Sequence, residues 1–62
     1  MPWTEKEYPA SMKNLSPEVR EKAIEIANAL LQEEHYDEGK AIRIAISKAE
    51  EWGSRRGISI KQ

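Results

Sequence analysis

The sequence predicts an all-α fold: an antiparallel helical hairpin spanning about 17–34 and 38–54, with an irregular or short-helical N-terminal segment packed on it and a loose C-terminal tail. Three observations lead there. Apolar residues recur at three- and four-residue steps in two stripes, Val19, Ala23, Ile26, Ala27, Leu30 and then Ala41, Ile42, Ala45, Ile46, Ala49, Trp52. That spacing places side chains on one face of a helix. A helix start stands before the first stripe and a break stands between the two. Two such faces in so short a chain must bury each other or bury a partner.

The N-terminal segment, residues 1–16, is punctuated by Pro2 and Pro9. Pro9 pushes Tyr8 toward an extended backbone. Thr4 with Glu7 three residues on suits a turn of helix closed by a capping box. Ala10 to Leu15 suits a second short helix, with Pro9 near its first turn. Trp3, Tyr8, Met12 and Leu15 are expected to insert into the helical core, because so much apolar surface is costly to leave in water. The alternative for Trp3 is an exposed binding role.

Ser16 is the expected N-cap of the first long helix, followed by Pro17 where no N–H is needed and Glu18 at the positive end of the dipole. Asn28 is expected at the rim of the core, with a buried amide that fixes helix register as the alternative. His35 occupies the place of a left-handed helix terminator, a conformation His tolerates better than branched residues do. Asp37 is a good N-cap for the second helix, and Tyr36 before it can staple onto Ala41 or Ile42. Gly39 suggests close approach of the neighbouring helix. Gly53 weakens the end of the second helix, Gly57 offers its stop, and Arg55 and Arg56 complement the dipole. Residues 58–62 alternate like a short strand, but no partner strand is evident. The expected organisation is one domain, 1–57, with a flexible tail, 58–62.

Sixty-two residues sit near the lower limit for unaided folding. The chain has no cysteine, so neither disulfides nor thiolate metal sites can supplement its core. Ten Lys/Arg against eleven Asp/Glu leave a net charge of −1, which describes a solvated surface rather than a strongly basic binding face. No apolar run is long enough for a transmembrane span, and the first residues lack a signal-peptide core. The expected compartment is the cytoplasm, without membrane insertion.

Catalysis has little to draw on. There is one histidine, and the serines stand at cap or solvent positions. The carboxylate pairs Glu33-Glu34 and Glu50-Glu51 are sequence neighbours, which point about 100° apart on a helix and cannot share a proton. Glu34, His35, Asp37 and Glu38 could hold a divalent ion only weakly, lacking a calcium-loop pattern and enough nitrogen or sulfur donors for zinc. A solvated acidic turn is the simpler reading, and no metal or cofactor is expected. A helix-turn-helix-like nucleic-acid domain is the alternative, with Lys40, Arg43, Arg55 and Arg56 as its contacts, although Glu50 and Glu51 interrupt that surface. Ile24, Leu31, Ile44 and Ile46 lie partly off the main stripes. With Trp3 and Tyr8, Ile24, Leu31 and Ile44 form the candidate partner surface of a non-catalytic interaction or regulatory module. Self-association and an unknown protein partner both satisfy that reading.

Met1-Pro2-Trp3, Tyr8-Pro9-Ala10-Ser11-Met12-Lys13-Asn14-Leu15, Val19-Arg20 and the run Lys22 to Leu30 resemble the N-terminal module of YdaT-like small bacterial proteins. Tyr36-Asp37-Glu38-Gly39, Ala41-Ile42, Ile44-Ala45, Ala49 and Trp52 continue the likeness over roughly residues 1–53. It departs at Glu34-His35, where such modules tend to carry a glycine. Those proteins are largely uncharacterised, some being linked to general stress responses, so the resemblance implies a stress-related setting and no activity. Met1-Pro2-Trp3, Tyr8-Pro9 and Trp52 also show a looser likeness to ChaB-like proteins, described as cation-transport regulators. That likeness implies a small helical fold and, as a further alternative, regulation of cation transport.

Overall fold

The computed structural model describes residues 3–62, with the side chain of Glu34 also outside that description. A 3-10 turn, Ala10–Met12, precedes helix α1, Pro17–Ala29; a π-wound turn, Leu30–Glu34, leads to helix α2, Glu38–Arg55. Among the described residues the fold is all-α, and the two helices pack against each other. Gly53 lies beside Val19 and Trp52 beside Lys22, so the end of α2 meets the start of α1.

The local signals for helix ends are realised atom by atom. Ser16 has an extended backbone, and its Oγ accepts from the Val19 N–H at 3.4 Å. Asp37 does the same for α2, its Oδ1 accepting from the Lys40 N–H at 2.9 Å. His35 adopts the left-handed conformation, φ 59°. Gly57 does so beyond α2, φ 71°, where a side chain would be strained. Around it the Gly57 N–H donates to the Ser54 carbonyl at 3.2 Å and the Ile58 N–H to that of Gly53 at 2.9 Å. This pairing is a Schellman closure, which satisfies carbonyls that a helix end leaves without partners.

Several expectations are corrected. The first helix is not α-helical to residue 34, because its last turn widens into π winding before His35 reverses the chain. Such a turn closes i→i+5 bonds, the same wide spacing that left-handed helix ends use. Thr4 to Glu7 is a bend rather than helix; the Thr4 hydroxyl accepts from the N–H groups of Lys6 and Glu7, at 3.2 and 3.1 Å. Only residues 10–12 of the second proposed turn are helical. Gly39 is exposed, and a Cβ there would meet nothing closer than the Asp37 side chain at 3.5 Å, so it serves no helix approach.

The largest correction concerns residues 58–62, which are docked and not loose. Leu15 and Lys61 form an antiparallel bridge. The Ser16 N–H donates to the Ile60 carbonyl at 2.8 Å, and the Gln62 N–H to that of Asn14 at 3.0 Å. The alternation seen in the sequence is real, but its partner is the irregular residues 14–16 instead of a strand. It turns Ile58 and Ile60 toward the core.

The core itself comprises Met12, Leu15, Val19, Ala23, Ile24, Ala27, Ala45 and Ala49. Trp3, Tyr8, Ile26, Ile42, Ile46, Ile58 and Ile60 pack around it, half-buried. Along α2 the buried positions are Ala41, Ala45, Ala49 and Gly53, one small residue at every fourth place. A Cβ on Gly53 would stand 2.9 Å from Val19 Cγ2 and 3.2 Å from Ile60 Cδ1. Val19 is fully buried and has nowhere to retreat.

Two outcomes are expected. Gly53→Ala gains at most about 1 kcal/mol of helix propensity but meets an overpacking cost of about 1–3 kcal/mol. Thermal unfolding followed by circular dichroism should therefore show a lower Tm, against the usual effect of this change in a helix. Ser16→Ala should cost more than Asp37→Ala in urea denaturation. Loss of an N-cap costs about 1 kcal/mol, and the Ser16 hydroxyl also donates to the Ser59 carbonyl at 2.6 Å.

Candidate interaction surface

Two side chains of α1 hold the N-terminal segment in place. Asn28 presents a planar amide that carries both an acceptor and a donor. Its Oδ1 accepts from the Trp3 N–H at 2.7 Å, and its Nδ2 donates to the Trp3 carbonyl at 3.0 Å. The amide thus does for Trp3 what a neighbouring strand would do. Two turns earlier, Arg20 is mostly buried, its side chain 13% exposed. Its Nη1 donates to the carbonyls of Lys13 and Leu15 at 3.3 and 3.1 Å. Its guanidinium lies over the Tyr8 ring, 4.8 Å from the centroid, a cation–π geometry. Among the described residues the Arg20 Nε has no hydrogen-bond partner, and Glu5 Oε1 stands 3.7 Å from it.

The five residues expected to form a partner surface separate into three groups. Ile24 is core, 6% exposed, and is not available to a partner. The stripe argument puts it off the main face, yet it joins the core cluster, between Arg20 and Asn28 in the sequence, both of which contact the N-terminal segment. Trp3 and Tyr8 are half-buried and packed on the core by way of Asn28 and Arg20. Leu31 and Ile44 are part-exposed and belong neither to the core cluster nor to the side chains packed on it, and the same holds for Leu30.

The basic candidates are spread along α2, and three of the four are already engaged. Arg55 Nη2 is paired with Glu51 at 2.8 Å. Arg56 stands 5.0 Å from the centroid of Trp52, and Lys40 4.9 Å from that of Tyr36. Arg43 is exposed near the other end of α2, twelve residues or about 18 Å of helical rise from Arg55.

Trp52, half-exposed, also has Lys22 Nζ at 5.4 Å from its ring. It borders two open depressions. One, about 300 Å³, is lined by Glu18, Glu21, Lys22, Glu25 and Trp52. The other, about 440 Å³, is lined by Lys48, Glu51, Trp52, Arg55 and Arg56. Both are lined by carboxylates and cations that neutralise one another in part, as Lys22 does with Glu25 at 3.1 Å. Such a rim supports ion pairing and aromatic contact. In the acidic turn, Asp37 is committed to its capping bond, His35 and Glu38 are exposed, and the Glu34 side chain lies outside the described residues. No group of three His, Cys, Asp or Glu is placed to hold a metal among the described residues. No described helix is long and apolar enough to cross a membrane.

No family model matches the chain, and no solved structure matches it. A curated protein does. The chain is 64% identical over 52 residues to a Bacillus subtilis protein described as "Uncharacterized protein YdaT", a match covering 84% of this chain and 34% of the relative. The chain thus spans about a third of the length of the curated relative it matches. At that identity the resemblance to YdaT-like proteins holds, and over these 52 residues the chain is YdaT-like.

Proposed function

We propose that this chain is a non-catalytic protein-interaction or regulatory module whose partner contacts the aliphatic residues left outside the core. The observation that carries the reading is the part-exposure of Leu31 and Ile44, beyond the reach of the segments that wrap the helices. Part-exposed aliphatic side chains on so charged a chain offer a partner apolar area to bury. The similarity to one third of a longer protein fits a unit that works beside other parts. The stress-related setting enters with the resemblance to YdaT-like proteins, and the cytoplasm with the mixed charge and the short apolar runs of the sequence. They form the working context for a search.

Nucleic-acid binding has less support, because Arg55 is paired with Glu51 while Lys40 and Arg56 are drawn over aromatic rings. A ChaB-like role in cation transport rests only on the residue landmarks at Trp3, Tyr8-Pro9 and Trp52.

The test is affinity capture from the native cell with the tagged full chain and with its Ile44→Lys variant. The wild type should retain a defined partner that the variant loses. The variant's Tm should stay close to that of the wild type, since Ile44 stands outside the core. Equal capture by both chains would dismiss this surface, and retention of duplex DNA at low salt by the wild type would favour the nucleic-acid reading.

A further inference from the structure

We propose that residues 3–8 are an exchangeable arm, and that the face of α1 formed by Arg20, Ile24 and Asn28 is a docking groove that takes the same arm from a second copy of this chain. The inference is independent of Leu31 and Ile44 and rests on how the arm is attached.

The arm's own backbone bonds are internal. The Thr4 N–H donates to the Glu7 carbonyl at 2.8 Å, and the Glu7 N–H returns a bond to Thr4 at 3.1 Å. What joins the arm to the body is the Asn28 amide on the Trp3 backbone, Arg20 against Tyr8 and Glu5, and two half-buried rings. Removing the arm would therefore break no helix and no backbone ladder.

The groove has a register. Arg20, Ile24 and Asn28 follow one another at four-residue steps, which places their side chains on one face of α1. Arg20 and Asn28 are separated by about 12 Å of helical rise. The arm lays Trp3 at Asn28 and Tyr8 at Arg20, and its Thr4–Glu7 bend takes up the slack of a segment that could otherwise reach about 17 Å. A fitting ligand needs an extended residue for the amide and, farther along, a carboxylate and an aromatic ring for the guanidinium. Residues 3–8 of another copy supply each of these.

The hinge is short. Ala10 and Ser11 are exposed, and Met12 beyond them is anchored at 0% exposure in the core. A brief connection between a detachable arm and a fixed body is the architecture that exchanges identical elements between copies. The covalent tether favours the arm's own seat at low concentration, because it supplies an effective concentration of roughly millimolar. Exchange should then emerge as protein concentration approaches that range.

Sedimentation of the full chain from micromolar to millimolar concentration is the first measurement, and a growing dimer fraction is expected. Complementation follows. Asn28→Ala damages the groove and spares the arm, whereas Trp3→Ala damages the arm and spares the groove. The same contacts hold the arm in its own seat and in a partner's, so each variant loosens both and should self-associate about as strongly as wild type while its own seat stays closed. An equimolar mixture should form a heterodimer, through the one intact arm and the one intact groove. Wild type that remains monomeric throughout overturns the proposal. So does a mixture of the two variants that forms no heterodimer. Where a variant fails to fold, isotope-filtered nuclear Overhauser spectra of mixed labelled and unlabelled wild type decide. Contacts between Trp3 of one copy and Ile24 of another are expected, and contacts within one copy only would refute exchange.

Discussion

The close contact at Gly53 and the row of alanines before it govern the rest of the molecule. Ala41, Ala45, Ala49 and Gly53 bring the α2 backbone against α1 with little side-chain volume between them. Close approach has a cost, because alanine removes far less apolar surface from water than a valine or leucine does, and a fully buried larger side chain is worth about 1.5–3 kcal/mol. A seam of small residues cannot by itself stabilise a domain of this length. The missing volume comes from outside the helices: Met12 and Leu15 before α1, Ile58 and Ile60 after α2, and the rings of Trp3 and Tyr8. The segments that look irregular in the sequence are thus parts of the core.

The same seam explains why both chain ends meet at one place. The Schellman closure at Gly57 turns the chain back across the N-terminus of α1, where Ser16 waits with three bonds to make. Its hydroxyl accepts from Val19 and donates to Ser59, and its N–H donates to Ile60. A hydroxyl can play both roles, which an Asp cap could not. At Asp37, where nothing crosses, a carboxylate suffices. The choice of capping residue at the two helix starts thus follows from what lies beside each.

Features set by neighbours in sequence were legible and those set by distant partners were not. Ser16, Pro17, His35, Asp37 and Gly57 act within a few residues of themselves, and their types alone indicate helix ends. Asn28 is half-buried at the rim, as its place beside alanines indicates, but its partner lies 25 residues away and a single amide carries no sign of it. Ile58 and Ile60 showed their alternation, yet nothing local indicated that residues 14–16 would receive them, 43 or more positions earlier. Gly53 looked like a weak helix end, although its close contact belongs to Val19 and Ile60. Of the residues off the stripes, Leu31 and Ile44 are part-exposed, whereas Ile24 is buried in the core.

A chain without cysteine still contains cross-links of a kind. Asn28 to Trp3, Ser16 to Ser59 and the Gln62 amide to the Lys13 carbonyl at 3.2 Å close loops of 25, 43 and 49 residues. The entropy of closing a loop rises only slowly with its length, by about 0.6 kcal/mol per doubling. Long closures therefore cost little more than short ones, and a net gain of about 0.5–1.5 kcal/mol per hydrogen bond matters when paired with apolar burial. A disulfide would provide more, about 2–4 kcal/mol, but it would be permanent. Closures made from amides and hydroxyls can open singly, and the least entangled of them is the pair of bonds between Asn28 and Trp3. The order in which these closures yield follows from what backs each one. The C-terminal residues are held by Ser16 and by two isoleucines, whereas residues 3–8 depend on Asn28, Arg20 and two half-exposed rings. Stability is therefore graded along the chain, lowest at the arm and highest where Val19 meets Gly53.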